Sequence, residues 1–207
     1  MNKLAVIYLL LLVTISACQE EEPDQSDVNK INTSQRTTLI NDDFSQKNLN
    51  WKAYSGQWKF QKGTLIQTSE NEDFPVILLE NAPLTDVDVQ VRFKPISGKI
   101  DASGGIIFRA EDEDNYYIVR ANALENNFRL YTFVDGYRHQ LASTTVTPPA
   151  LGKFSTMRVI TKGNHIQAFL NDKLELDYHD DTFKQGYVGL WTKADSITEF
   201  DDFKLIK

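Results

Sequence analysis

The sequence predicts an all-β domain, two antiparallel sheets packed face to face, and three observations carry that expectation. From Leu39 onward the chain is a series of short runs in which apolar and polar residues alternate, broken by turn residues, and hardly any stretch keeps a helical period over three turns. The stretch Gly104 to Phe133, GGIIFRAEDEDNYYIVRANALENNFRLYTF, reads as three consecutive antiparallel strands joined by two polar turns. The opening Asn41-Asp42-Asp43-Phe44 is echoed near the end by Phe200-Asp201-Asp202-Phe203, which predicts first and last strands lying side by side.

In chain order, residues 1–18 hold a short basic start (Lys3), an apolar run from Leu4 to Val13 and then Thr14-Ile15-Ser16-Ala17-Cys18. The apolar run falls short of the roughly 20 residues a spanning helix needs, and small residues precede a cleavage point, so the segment reads as a secretion signal. Ile15-Ser16-Ala17-Cys18 resembles the lipobox of bacterial lipoproteins, which implies lipidation of Cys18, the one cysteine of the chain. Acyl chains there would hold the protein on a membrane without a spanning segment, since each buried methylene adds about 0.8 kcal/mol. Residues 19–38 (QEEEPDQSDVNKINTSQRTT) are too polar to bury a core and are expected to form a flexible tether, with a reach on the order of 60 Å. The acidic run after Cys18 resembles the surface-export signal of Bacteroidetes lipoproteins. Together with Gln19, it sets the expected address as the bacterial outer membrane, lipid-anchored and facing outward.

Residues 39–207 are expected to form the sandwich. The alternation predicts strands over 39–44, 58–61, 64–68, 76–80, 86–96, 105–110, 116–123, 128–134, 137–142, 154–161, 165–171, 174–178, 187–193 and 199–206. Lys62-Gly63, Asp135-Gly136, Gly163-Asn164 and Asp172-Lys173 suit tight hairpins that need left-handed backbone angles. Val87, Val89, Val91 and Phe93 against Asp88, Gln90, Arg92 and Lys94 describe a strand with one face in the core and one in water. About fourteen such strands predict a sandwich of jelly-roll type.

The central stretch also predicts two faces. Ile106, Phe108, Tyr117, Val119, Ala121, Phe128, Leu130 and Val134 fall on the side expected against the core. Arg109, Tyr116, Arg120, Asn122, Arg129 and Tyr131 fall on the other, joined by Trp191 of the GYVGLW run. Aromatic planes stack on sugar rings, and Arg and Asn donate hydrogen bonds to hydroxyls or carboxylates, so Arg109, Tyr116, Arg120, Asn122, Tyr131 and Trp191 form a candidate saccharide site on an open sheet face. The same row would also serve as cross-strand Arg–Tyr pairs that only stabilise the sheet. Composition narrows the partners: a net charge of -7 without a basic cluster argues against nucleic acid. The single cysteine excludes an internal disulfide and a cysteine-based zinc cluster.

Asp42-Asp43-Phe44, Trp51, Gly56, Trp58, GGIIFR, DNYY, LYTF with Asp135-Gly136, MRVI, IQAFLND, GYVGLW and FDDFKL form a frame that resembles the bacterial laminin G-like, concanavalin A-like jelly-roll domains. It is most similar to the 3-keto-disaccharide hydrolase domains, over roughly residues 41–205. The resemblance implies a saccharide ligand and leaves activity open, because such folds carry binders and glycosidases alike. It also implies one structural calcium ion between the first and last strands, near Asp43, Asp201 or Asp202, and no other cofactor. These aspartates would otherwise cap strand ends. Glu175-Leu176-Asp177 imitates part of a glycosidase carboxylate strand but lacks the second glutamate, and Glu111 to Asp114 reads as a loop, so no catalytic pair is assigned. The expectation is a membrane-anchored envelope lipoprotein whose concave sheet binds a glycan without cleaving it. A hydrolase acting on a (3-keto-)disaccharide and an interaction subunit of an envelope protein complex are its alternatives.

Overall fold

A computed structural model describes residues 38–206 apart from residue 48. The signal-like segment, Cys18 and all but the last residue of the expected tether lie outside the described residues. Fifteen strands follow one another without a helix among the described residues: β1 (Thr38–Asp42), β2 (Trp51–Ala53), β3 (Trp58–Gln61), β4 (Thr64–Gln67), β5 (Val76–Leu84), β6 (Asp88–Ser97), β7 (Ser103–Ala110), β8 (Tyr116–Asn122), β9 (Asn127–Val134), β10 (Tyr137–Thr145), β11 (Ser155–Lys162), β12 (His165–Leu170), β13 (Lys173–His179), β14 (Gly186–Trp191) and β15 (Ile197–Ile206).

They build two antiparallel sheets. An eight-stranded sheet runs β13-β12-β11-β6-β15-β4-β3 with β1 also on β15, and a seven-stranded sheet runs β10-β9-β8-β7-β14-β5-β2. The ten-residue β15 is long enough to serve two partners along one edge. Its Thr198–Phe200 stretch pairs with β4, and its last residues pair with β1, Asp42 opposite Phe203 and Asn41 opposite Lys204. The pairing of first and last strands is therefore the one the matching acidic-aromatic motifs predict.

The core lies between the sheets. On β6, Val89, Val91 and Phe93 point inward while Gln90, Arg92 and Lys94 point out, as the alternation requires. They meet Ile106, Phe108, Tyr117, Val119, Ala121, Phe128 and Leu130 from the seven-stranded sheet, together with Met157, Val159, Phe200 and Phe203. Each fully buried aliphatic or phenyl side chain contributes about 1.5–3 kcal/mol, so this layer dominates the stability. Lys62-Gly63 and Asp135-Gly136 take left-handed angles at both residues (φ 50° and 73°, 51° and 77°).

Three local expectations are corrected. The β12–β13 hairpin turns one residue earlier than Asp172-Lys173, on Asn171 (φ 49°) and Asp172 (φ 63°). Asn171 is fixed there by its side chain, which accepts the Thr156 amide at 3.0 Å. The β2 strand went unpredicted because three residues show too little alternation, yet Trp51 anchors it by donating from Nε1 to Asp42 at 2.9 Å. On β10, a register slip between Gln140 and Ala142 lets pairing continue to Thr145 instead of stopping at Ala142.

Candidate functional site

The outer face of the seven-stranded sheet carries a second apolar layer, formed by Val76, Leu78, Ile107, Tyr116, Ile118, Tyr131, Phe133 and Trp191, with Tyr54, Phe74 and Tyr187 packed against it. Alternation puts them there: their neighbours Ile77, Ile106, Tyr117, Val119, Val188 and Leu190 all point into the core. The rings are organised. Tyr116 stacks on Phe133 at 4.6 Å, Phe74 meets Phe133 edge-on at 4.9 Å, and Phe74 lies parallel to Trp191 at 5.9 Å. Gly105 pairs with Trp191 on one side and Arg120 on the other, and a Cβ there would stand 2.6 Å from the Ile118 Cδ1. Only glycine leaves the room that these large neighbours occupy.

Along the same face the layer turns polar. Arg120 donates from Nη2 to Glu125 at 2.8 Å, and Glu125 also accepts Asn127 at 2.9 Å and lies 3.9 Å from Arg129. Burial alone would raise the Glu125 pKa, but the hydrogen bonds from Arg120 and Asn127 hold it below the usual carboxylate range. The Arg138 guanidinium lies over both Tyr131 (4.7 Å) and Phe74 (5.3 Å). Two guanidiniums thus share one carboxylate, while a third lies on the rings. Among the described residues, Arg120 Nε and Nη1, Arg129 Nε, Arg138 Nη1, Asn122 Nδ2 and Trp191 Nε1 are buried donors without a hydrogen-bond partner. Such donors are destabilising unless an acceptor meets them, at about 1–3 kcal/mol each.

At one end of this face a cleft of about 360 Å³ opens, within the range of small-molecule sites. Successive hairpins return their turns to one end of a sheet, so the β7–β8 turn brings Glu113 and Asp114 beside Gly136 of the β9–β10 turn. The β4–β5 connection adds Asn71, Glu72, Asp73 and Phe74, and Tyr54 and Ser55 follow β2. Ser55 holds the last of these segments in place, donating to the Phe74 carbonyl at 2.8 Å and accepting the Val76 amide at 2.9 Å. The cleft has an aromatic floor of Tyr116, Phe133 and Phe74 and four carboxylates on its rim, a combination suited to stacking a sugar ring and accepting its hydroxyls.

The six sequence-predicted ligand residues separate. Tyr116 lines the cleft, and Arg120, Asn122, Tyr131 and Trp191 lie on the same face, but all five are buried, so the expected open row is closed over. Arg109 leaves the face altogether. Its backbone is left-handed (φ 49°), and its side chain, 1% exposed, binds the carbonyls of Thr85 (2.9 Å), Phe183 (3.2 Å) and Gly163 (2.5 Å). It is a structural bracket between three connections. The strand alternation could not reveal this, because it assumes an unbroken extended backbone. The residues that sequence reasoning missed, Phe74, Glu72 and Asp73, sit in a loop whose one signal is an aromatic among acids before Pro75.

Elsewhere, Asp202 pairs with Arg92 at 2.8 Å, Asp201 lies 3.6 Å from the same guanidinium, and Asp43 accepts the Ser45 amide at 3.0 Å. Burial pushes the Asp201 carboxyl up, with Asp202 and Asp43 adding to it against Arg92. Asp177 lies on the outer face of β13 against His165, whereas Glu175 falls at a bulge of that strand, its side chain mostly buried against Lys173.

The model of the family described as 3-keto-alpha-glucoside-1,2-lyase-like domain matches residues 35–206. A levanase of Bacillus subtilis (strain 168) is 23% identical over 141 residues, 68% of this chain, and the match covers only 20% of the levanase. Among solved structures, the carbohydrate binding module CBM66 from Bacillus subtilis superposes with a TM-score of 0.68 at 22% identity, covering 75% of this chain and 95% of the module. A Bacillus licheniformis beta-glucanase does so with a TM-score of 0.59 at 12% identity, covering 85% of this chain and 99% of the other. These likenesses establish the concanavalin A-like jelly roll expected from the sequence.

Proposed function

The chain belongs to the 3-keto-alpha-glucoside-1,2-lyase-like domain family, and from that premise we propose that it binds a saccharide on the outer face of its seven-stranded sheet. The observation that carries this reading is the cleft itself, where half-buried Phe74 lies over a buried floor of Tyr116 and Phe133, between the carboxylates of Glu72, Asp73, Glu113 and Asp114. A sugar ring stacks on Phe74 while its hydroxyls donate to the rim. The similarity to a levanase and to a carbohydrate binding module supports this reading.

The protein acts as a lipoprotein in this proposal, anchored through Cys18 to the outer membrane and holding the domain outward on residues 19–38. Labelling with a radioactive fatty acid checks the anchor: label present on the native protein and lost in Cys18→Ser supports it, and label absent from both removes it. A calcium ion near Asp43, Asp201 and Asp202 belongs to the same proposal. The excess of carboxylates over the single Arg92 supports it.

A second reading, turnover, is favoured by the family match. A 3-keto group acidifies the neighbouring C2–H; a rim carboxylate such as Asp114 would take that proton, the C1–O bond would break, and the departing alkoxide would be protonated. No oxidant is consumed in such an elimination. Incubating the protein with a 3-keto-disaccharide separates the readings: binding with the disaccharide intact supports a lectin-like module. Release of the aglycone that stops in Asp114→Asn establishes the lyase. A folded protein that binds no saccharide overturns both and leaves an envelope protein as the partner.

A further inference from the structure

On the outer face of the opposite, eight-stranded sheet, we propose a first-row transition-metal site of the zinc class formed by His165, Asp177 and His179. The three residues come from paired strands: His165 stands directly across from His179, and Asp177 across from Gln167. Period-two alternation sends all four side chains outward, since the intervening Ile166 is buried in the core and the intervening Tyr178 packs against it. One ligand atom from each of His165, Asp177 and His179 lies within 4.8 Å of the others, and among the described residues no other set of three His, Cys, Asp or Glu side chains comes together this way.

The contacts already present prepare the site. His165 Nε2 is 2.7 Å from Asp177 Oδ1, and the two imidazoles lie parallel with centroids 4.5 Å apart. Two imidazole nitrogens and a carboxylate oxygen are a common zinc donor set, needing bonds of about 2.0–2.2 Å. Rotating exposed rings closes the remaining separation, because His165 is only half-buried and Asp177 and His179 are exposed. Three protein ligands leave the fourth tetrahedral position to water. Gln167 completes the arrangement by donating from Nε2 to Asp177 Oδ2 at 2.9 Å, the second hydrogen bond that orients a metal-binding carboxylate. The set has a structural meaning too. β13 is an edge strand of its sheet, and a metal shared between β12 and β13 clips that edge in register.

The chain has three histidines, and the third, His139, lies on β10 in the other sheet, which supplies an internal control. The full chain carrying Cys18→Ser, which removes the one thiol, is titrated with zinc chloride by calorimetry, and its melting temperature is followed with and without zinc. One zinc per chain is expected, with affinity lowered at least about 100-fold in His165→Ala and His179→Ala and about tenfold in Gln167→Ala. His139→Ala should bind like the parent. Because the altered residues are solvent-facing, each variant should melt like the parent without metal, so lost binding cannot be mistaken for unfolding. Zinc that fails to bind the folded parent, or that binds both histidine variants as well as the parent, overturns the proposal.

Discussion

The outer faces of the two sheets obey opposite rules. On the eight-stranded sheet, charges are matched with partners: Arg158 with Asp88, Arg92 with Asp202, Lys94 with Glu199. On the seven-stranded sheet, rings stack in a buried layer, two arginines share Glu125, and six donor atoms have no acceptor among the described residues. A face evolved only to meet water has no reason to bury Trp191 or leave guanidinium donors unmet. The difference teaches that one sheet is finished by its own side chains, whereas the other leaves buried donors unmet, which is the face where the proposed ligand is placed.

The largest effect should come from removing the ring at the centre of that layer. Trp191→Ala deletes a fully buried indole packed on Phe74 and should lower unfolding free energy by about 3–5 kcal/mol in a urea titration. A loss under about 1 kcal/mol would show that the layer is not packed as described. Next is Arg109→Met, which strips the hydrogen bonds from three loop carbonyls and should cost about 2–3 kcal/mol while leaving saccharide affinity unchanged. Affinity lost without loss of stability would return Arg109 to the ligand face.

The smallest effect lies on the matched sheet, at Asp201. Its folded pKa is raised, chiefly by burial, so the folded state holds this proton more tightly than the unfolded chain. Its contribution is favourable at low pH and is lost as pH rises through the window above 3.8. Asp201→Asn keeps the hydrogen-bond acceptor for the Asp202 amide and should gain up to about 0.5 kcal/mol at neutral pH. Calcium should stabilise the parent and not this variant. A destabilised Asp201→Asn would mean that the Arg92 pairing outweighs burial.

These contrasts also mark how far the residues alone could be read. Alternation placed Ile106, Phe108, Val119 and Leu130 in the core and Arg120, Tyr131 and Trp191 on the other side, because a strand's period of two leaves no third choice. Whether that other side is open depends on what crosses it, and Phe74 arrives from a connection more than 100 residues before Trp191 with no periodic signal. Arg109 was misplaced for a local reason: one left-handed residue re-aims a side chain, and nothing in the type Arg announces it. The hairpin that joins β12 and β13 is legible, but the expected turn lies one residue late and the expected strand stops at Tyr178, so the facing of His165 and His179 follows only from the register.

The central claim, that the seven-stranded sheet holds the ligand, is tested most directly by a glycan-array screen of the folded protein beside three variants. Phe74→Ala and Asp114→Asn alter the cleft, and Arg92→Ala alters the opposite sheet. The predicted result is a saccharide bound by the parent and by Arg92→Ala, with affinity reduced about tenfold or more in both cleft variants, as loss of a stacked ring or a charged hydrogen bond implies. Binding that survives both cleft changes, or that disappears with Arg92→Ala alone, would contradict it.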